Sequence, residues 1–212
     1  MPSEVRGFYF ITDSGLTKQG ALKDSADAIA GGASIIQYRE KAKSFDEMAA
    51  EAEEIRTLCH DSGTAFIIND KLDLALATRA DGLHLGPKDM PLTKARKEFP
   101  GVIGISCGSV EEVRRAETGG ADYIAASPVF HTATKSDIGR PLGLEGVAEF
   151  RRATRLPIVA IGGINLRNVR EVVLAGADSV CAISATVGTP DVRASVRMFV
   201  EEMSSAASRI DR

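Results

Sequence analysis

The chain has 212 residues, 44% hydrophobic and 26% charged, which fits a globular core and excludes a disordered or collagen-like chain. Its 26 Lys and Arg against 29 Asp and Glu give a formal net charge of -3, so no global field holds nucleic acid or an anionic membrane and any bound anion is held locally. Three widely spaced cysteines, Cys59, Cys107 and Cys181, make neither a disulfide framework nor a zinc knuckle.

No apolar run reaches the roughly 18 residues of a transmembrane helix, and the first residues lack a basic stretch followed by an apolar one. The expectation is one cytoplasmic domain over residues 1–212 with small-molecule partners, neither nucleic acid nor membrane, and with room for a homo-oligomer.

Along the chain, short apolar stretches suited to buried strands alternate with longer stretches of helical periodicity. The predicted strands run Gly7 to Thr12, Ser34 to Arg39, Ala65 to Ile68, Gly82 to Leu85, Val102 to Ile105, Tyr123 to Ala126, Ile158 to Ile161 and Ser179 to Ile183. Between them, Phe45, Met48, Ala49, Ala52, Ile55, Leu58 and Cys59 recur at helical spacing, as do Val192, Val196, Phe199, Val200 and Met203. Shorter repeats lie at Val110, Val113 and Ala116, and at Val169, Val172 and Val173, so each group marks an amphipathic helix. The strands lack polar alternation and are buried on both faces, which in a repeated βα pattern means a parallel sheet, open or closed. Closure is favoured by length, since eight units in 212 residues allow about 26 each, near the minimum for a barrel. A recurring tag also favours it: Gly31-Gly32-Ala33, Gly119-Gly120-Ala121-Asp122 and Gly176-Ala177-Asp178 precede strands two, six and eight, where glycine caps a helix in the left-handed conformation. The predicted fold class is α/β, a (β/α)8 TIM barrel in a single domain.

Such barrels carry their chemistry at the C-terminal ends of the strands, and here nearly every end is polar. Gln37, Arg39 and Lys41 alternate, so an extended strand turns all three to one face. Two cations there without an acid call for an anion between them, and the Arg fork and Lys point charge suit phosphate. Asn69-Asp70 and Asp89 place two carboxylates at neighbouring strand ends, a set suited to Mg²⁺ completed by phosphate oxygens and water. The alternative for Asp70 is a cap on the following helix. His84 receives no role, because a lone histidine in an apolar strand is most often a core residue and no metal motif surrounds it.

After strand seven comes Gly162-Gly163, and after strand eight Ile183-Ser184, the place where barrels set a phosphate cup of backbone N–H groups helped by a helix N-terminus. The stretch from Ser127 to Lys135 opens a long connection of the kind that serves as a lid. Together these residues imply two anion sites, a neutral cup for a monophosphate and a cationic, metal-assisted site for a diphosphate. A clamped diphosphate is a leaving group, and its departure leaves a carbocation for a second substrate to attack.

The motifs Gln37-Tyr38-Arg39-Glu40-Lys41, Ile68-Asn69-Asp70, Ala80-Asp81-Gly82-Leu83-His84-Leu85-Gly86 with Asp89, Pro128-Val129-Phe130 with Thr132, Thr134 and Lys135, and Val159-Ala160-Ile161-Gly162-Gly163-Ile164 resemble the thiamine-phosphate synthase family from Phe8 to about Ser184. The resemblance implies a (β/α)8 enzyme that joins a hydroxymethylpyrimidine diphosphate to a thiazole phosphate. It implies that Gln37 contacts the pyrimidine, that Arg39, Lys41, Asn69 and Lys135 hold the diphosphate, and that Asp70 and Asp89 bind Mg²⁺. Ser106 then lies near the pyrimidine and its departing group, and Thr132, Thr134, Gly163, Ile183 and Ser184 surround the thiazole phosphate. Lys135, Arg39 and Ser106 take the catalytic part. His131 stands where many members have proline, and Ala126-Ser127 replaces a glycine-rich pair. Two alternatives are a thiazole tautomerase relative, whose catalytic histidine position here holds Pro128, and a catalytically silent barrel that senses a phosphorylated metabolite.

Overall fold

Eight strands too apolar to leave a face in water solve their burial problem by closing on one another and wrapping the ring in helices. The computed structural model describes residues 5–132 and 139–210. In chain order its elements are β1 Gly7–Ile11, α1 Ala21–Ala30, β2 Ile35–Tyr38, α2 Phe45–Ser62, β3 Ala65–Asn69, α3 Leu72–Ala77, β4 Gly82–Leu85, α4 Leu92–Glu98, β5 Val102–Cys107, α5 Val110–Thr118, β6 Tyr123–Ala126, α6 Gly143–Ala153, β7 Ile158–Ile161, α7 Val169–Leu174, β8 Ser179–Cys181 and α8 Val192–Ile210. The strands form a closed parallel barrel in sequence order, sealed where Gly7 and Phe8 of β1 lie opposite Ser179 and Val180 of β8.

All eight predicted strands are present; β1, β2, β3, β5 and β8 differ from the expected ranges at one or both ends, by a single residue in β1 and β3. β2 stops at Tyr38 because the Thr12 side chain takes over the ladder: its Oγ1 accepts the Arg39 N–H at 2.9 Å and donates to the Arg39 carbonyl at 3.2 Å. β5 runs on through Ser106 and Cys107, which pair with Ala125 and Ala126. β8 ends at Cys181, and the chain then turns on the Ile183 carbonyl, which accepts from Thr186 N and Val187 N.

Strand alternation divides the buried residues in two. Phe8, Ile36, Ile68, Leu83 and Ile103 face the helices, while Tyr9, Ile11, Ile35, Ile67, Tyr123, Val159 and Cys181 fill the barrel's interior. The helices cover the outer layer with the predicted faces. α2 starts at a Ser44–Glu47 capping box and buries Met48, Ala52, Ile55 and Cys59. Phe45, expected on that face, is 40% exposed, because it occupies the first helical position beyond the packed stripe. α8 buries Val196 and Phe199, the latter with its ring centroid 5.2 Å from that of Phe8.

Opposite the polar mouth, the glycine tags do two jobs. Gly32, Gly120 and Gly176 take left-handed backbone and turn the chain from helix to strand. The aspartates just before β4, β6 and β8 then accept an N–H from the first or second residue of the preceding odd strand: Asp81 from Phe66 at 2.9 Å, Asp122 from Ile103 at 2.8 Å and Asp178 from Ile158 at 2.9 Å. Across the seam, Ser179 Oγ donates to the Gly7 carbonyl at 2.6 Å. Among the described residues, no helix is long and apolar enough to cross a membrane.

Candidate active site

At the C-terminal mouth of the barrel the strand ends open into one cavity, lined by Gln37, Arg39, Asn69, Asp70, Ser106 and Thr132 together with Gly163, Ile183 and Ser184. Nine of the residues expected at the site therefore meet in one place. Lys41 and Asp89 lie just outside this lining, and Thr134 and Lys135, at the far end of the expected lid, lie outside the described residues.

The β2 end is held more firmly than its sequence implies. Gln37 is buried, Tyr38 faces outward and donates to Glu51 of α2 at 2.6 Å, and Arg39 extends past the strand into the cavity. The expected crowding of two unpaired cations does not occur, because Asp13 from the end of β1 pairs with Arg39 at 2.7 Å. Glu40 turns away and folds the following backbone, accepting from Lys41 N at 2.6 Å, Ala42 N at 2.7 Å and Ser14 Oγ at 3.1 Å. Burial pushes its carboxyl up, but these bonds and Lys43 outweigh it and hold it below the usual carboxylate range. The Lys41 side chain is exposed, yet close enough for its charge to act on Asp70.

Asp70 takes left-handed backbone, φ 63°, and its N–H donates to the His84 carbonyl of β4 at 2.9 Å. Its carboxyl is pushed up to about 6 by burial and by Asp89, its hydrogen-bonded neighbour, against the opposing pull of Asn69 and Lys41. Asp89 also accepts the Gly86 N–H at 2.7 Å. Asp70 is no cap for α3: the capping position is Lys71, without a side-chain cap bond. Among the described residues, no three His, Cys, Asp or Glu side chains gather as a metal cage. Two carboxylates forced together beside an open cavity do fit a hard divalent cation that draws its remaining oxygens from phosphate and water.

The cup is built from backbone. Val129 N donates to the Ile161 carbonyl and Phe130 N to the Gly162 carbonyl, both at 2.9 Å, so the loop after β6 lies along the end of β7 and brings Thr132 to the cavity. At Gly163, φ is +64° and an added Cβ would meet the His131 carbonyl oxygen at 2.4 Å; only glycine fits there. The expected helix N-terminus is absent: α7 begins at Val169, and after β8 a turn on Ile183 takes its place.

Beneath the mouth lies a feature that sequence reasoning missed. Gln37 Nε2 donates to Tyr9 Oη at 2.8 Å, Tyr9 Oη meets Tyr123 Oη at 2.9 Å, Tyr123 Oη meets His84 Nδ1 at 2.9 Å, and His84 Nε2 meets Ser106 Oγ at 2.9 Å. His84 is buried as expected of a core residue, but in a barrel the inward core position is also the floor of the site. Asp13 was visible only as one more polar strand end, and Tyr9 and Tyr123 only as members of apolar strands, with no role assigned.

The family model described as thiamine monophosphate synthase matches residues 8–186. The thiamine-phosphate synthase of Methanosarcina barkeri is 48% identical over 197 residues, which cover 92% of this chain and 89% of that protein. That of Methanospirillum hungatei is 45% identical over 200 residues, covering 93% of this chain and 97% of that protein. Among solved structures, the thiamine phosphate pyrophosphorylase from Pyrococcus furiosus superposes with a TM-score of 0.88 at 38% identity, covering 94% of this chain and 96% of that one.

Proposed function

The chain belongs to the thiamine monophosphate synthase family, and on that premise we propose that it is a transferase joining 4-amino-2-methyl-5-hydroxymethylpyrimidine diphosphate to 4-methyl-5-(2-phosphoethyl)thiazole, plain or carboxylated. The products are thiamine phosphate and pyrophosphate. The observation that carries this reading is one cavity with two unlike anion stations, Arg39, Asn69 and Asp70 on one side and Gly162, Gly163, Ile183 and Ser184 on the other.

Gln37 and Ser106 hold the pyrimidine. Arg39, Lys41, Asn69 and Lys135 hold the diphosphate, with Arg39 aimed by Asp13. Asp70 and Asp89 would hold Mg²⁺, which when bound neutralises charge on the diphosphate. Thr132, Thr134, Gly163, Ile183 and Ser184 hold the thiazole phosphate so that its ring nitrogen lies within reach of the methylene carbon. The C–O bond breaks and its electron pair leaves with pyrophosphate, to which Arg39 and Lys135 donate as negative charge develops. The electron-rich aminopyrimidine stabilises the remaining methylene cation, and the thiazole nitrogen supplies the pair for the new C–N bond. No protein nucleophile takes part. Cys107, beside Ser106, is buried and its thiol is pushed up to about 12, far from a reactive thiolate.

The tautomerase alternative is disfavoured by Pro128 in the histidine position and by a diphosphate set it would not use. On our reading the enzyme works in the cytoplasm on small molecules alone, where Cys59, Cys107 and Cys181 remain free thiols. The test is incubation with both substrates and Mg²⁺, read as thiamine phosphate and pyrophosphate appearing in equal amounts. Folded protein that forms neither overturns the reading.

A further inference from the structure

Five strands contribute to the buried hydrogen-bond chain beneath the cavity: Gln37 from β2 at one end, then Tyr9 from β1, Tyr123 from β6 and His84 from β4, with Ser106 of β5 at its far end. The fold makes room for it. A Cβ on Gly104 of β5 would lie 1.9 Å from Tyr123 Cζ, so the missing side chain lets the Tyr123 ring cross the barrel and stack on His84, centroids 5.6 Å apart.

The chain has a direction. Burial pushes both phenols far up, so each keeps its single proton and has one donation to make. Gln37 Nε2 donates to Tyr9, Tyr9 then donates to Tyr123, and Tyr123 donates to His84 Nδ1. His84 therefore carries its proton on Nε2 and donates to Ser106 Oγ, which leaves the Ser106 hydroxyl proton for a further acceptor. At the other end, spending Nε2 on Tyr9 leaves Gln37 Oε1 as an acceptor. Both residues line the cavity.

We propose that Tyr9, Tyr123 and His84 are positioning residues that set the hydrogen-bond polarity of the pyrimidine site, an acceptor at Gln37 and a donor at Ser106, and thereby select a 4-aminopyrimidine over its 4-oxo counterpart. A 4-amino group donates, and the ring nitrogen across the ring from it accepts. A 4-oxo ring instead sets a carbonyl against the Gln37 carbonyl, two acceptors facing each other with no proton between them. A site built to pair polar groups rejects the mismatched ring strongly, because the desolvated groups stay unpaired. The condensation needs no proton transfer along this chain, so its use is to keep the Gln37 amide from turning over. The inference rests on the proposed pyrimidine site and concerns what fixes its selectivity.

Two measurements test it. In wild-type protein labelled with ¹⁵N-histidine, which has three histidines, the His84 imidazole is expected as the Nε2–H tautomer; the Nδ1–H tautomer overturns the proposal. In Tyr123→Phe and Tyr9→Phe, the ratio of kcat/KM for 4-amino over 4-oxo pyrimidine diphosphate is expected to fall about tenfold or more from the wild-type ratio, while KM for the thiazole phosphate stays within about twofold. A ratio unchanged in folded variants overturns the proposal. Wild-type protein that fails to turn over the 4-amino substrate overturns instead the functional reading on which it rests.

Discussion

Asp13 Oδ2 and Arg39 Nη1 lie 2.7 Å apart, with side chains 11% and 19% exposed, an ion pair that ties the end of β1 to a cation beyond the end of β2. Removing the carboxylate has opposing effects: it leaves the diphosphate more positive charge to bind, and it frees the guanidinium to wander. Charge acts on ground-state binding, whereas aim matters most when the leaving group gains charge. Asp13→Asn is therefore expected to change KM for the pyrimidine diphosphate by less than about threefold and to lower kcat by about tenfold or more. A large rise in KM at unchanged kcat would show that Arg39 serves ground-state binding only.

Asp70 carries an electrostatic penalty in the folded protein, since burial and Asp89 push its carboxyl up to about 6. Asp70→Asn removes the charge and keeps a residue tolerant of left-handed backbone. In chelator the variant is expected to be more stable than wild type at neutral pH by on the order of 1 kcal/mol, and with Mg²⁺ to lose turnover by about a hundredfold or more. Thermal unfolding and steady-state kinetics read the two halves. A variant less stable than wild type would mean that the carboxylates are not in conflict.

Glu40 supplies the pH dependence. Its folded carboxyl lies below the usual range, so its contribution is fully present above the unfolded value of about 4.3 and is lost as pH falls through the lower folded value. Glu40→Gln is expected to cost about 1–3 kcal/mol at neutral pH, with the gap to wild type closing below about pH 4. Denaturant melts at a series of pH values measure this, and a gap independent of pH would exclude the carboxylate's charge as the cause.

Gly163 belongs to only one of the two anion stations. Alanine there meets both positive φ and the His131 carbonyl, so Gly163→Ala is expected to raise KM for the thiazole phosphate by about tenfold or more. KM for the pyrimidine diphosphate should move far less. An equal rise in both would mean that the substitution distorts the whole mouth rather than the cup.

The order of bond breaking is open to a substituent series. Electron-withdrawing groups on the pyrimidine destabilise a methylene cation, so single-turnover rates are expected to fall steeply across the series. A flat series would exclude the cation route and leave the overall reaction standing.

The strands were legible because each is apolar on both faces and bounded by turn residues, and the strand-end site residues because barrels gather chemistry there. Short helices were harder to read. α3 has six residues and leaves Leu76 exposed, too little length for a period to emerge. The Asp13–Arg39 pair needed the register that sets Ile11 opposite Gln37, which strand patterns alone do not give. Tyr9 and Tyr123 are 114 positions apart; alternation turns both inward without saying that their hydroxyls meet. For His84, inward and buried was the right local reading, but it could not distinguish packing from the floor of a cavity.

The three aspartate ties at the base of the barrel bear on how the ring is assembled. They join residues 15, 19 and 20 positions apart, whereas the bond across the β1–β8 seam joins residues 172 apart. The entropy lost in closing a loop grows with the chain it encloses, and contacts near in sequence are the kinetically accessible ones. Each tie lets an odd strand find its even neighbour within a short span of chain, so most of this closed topology is reached through near-neighbour steps. The seam alone requires the two ends of the polypeptide to search for each other.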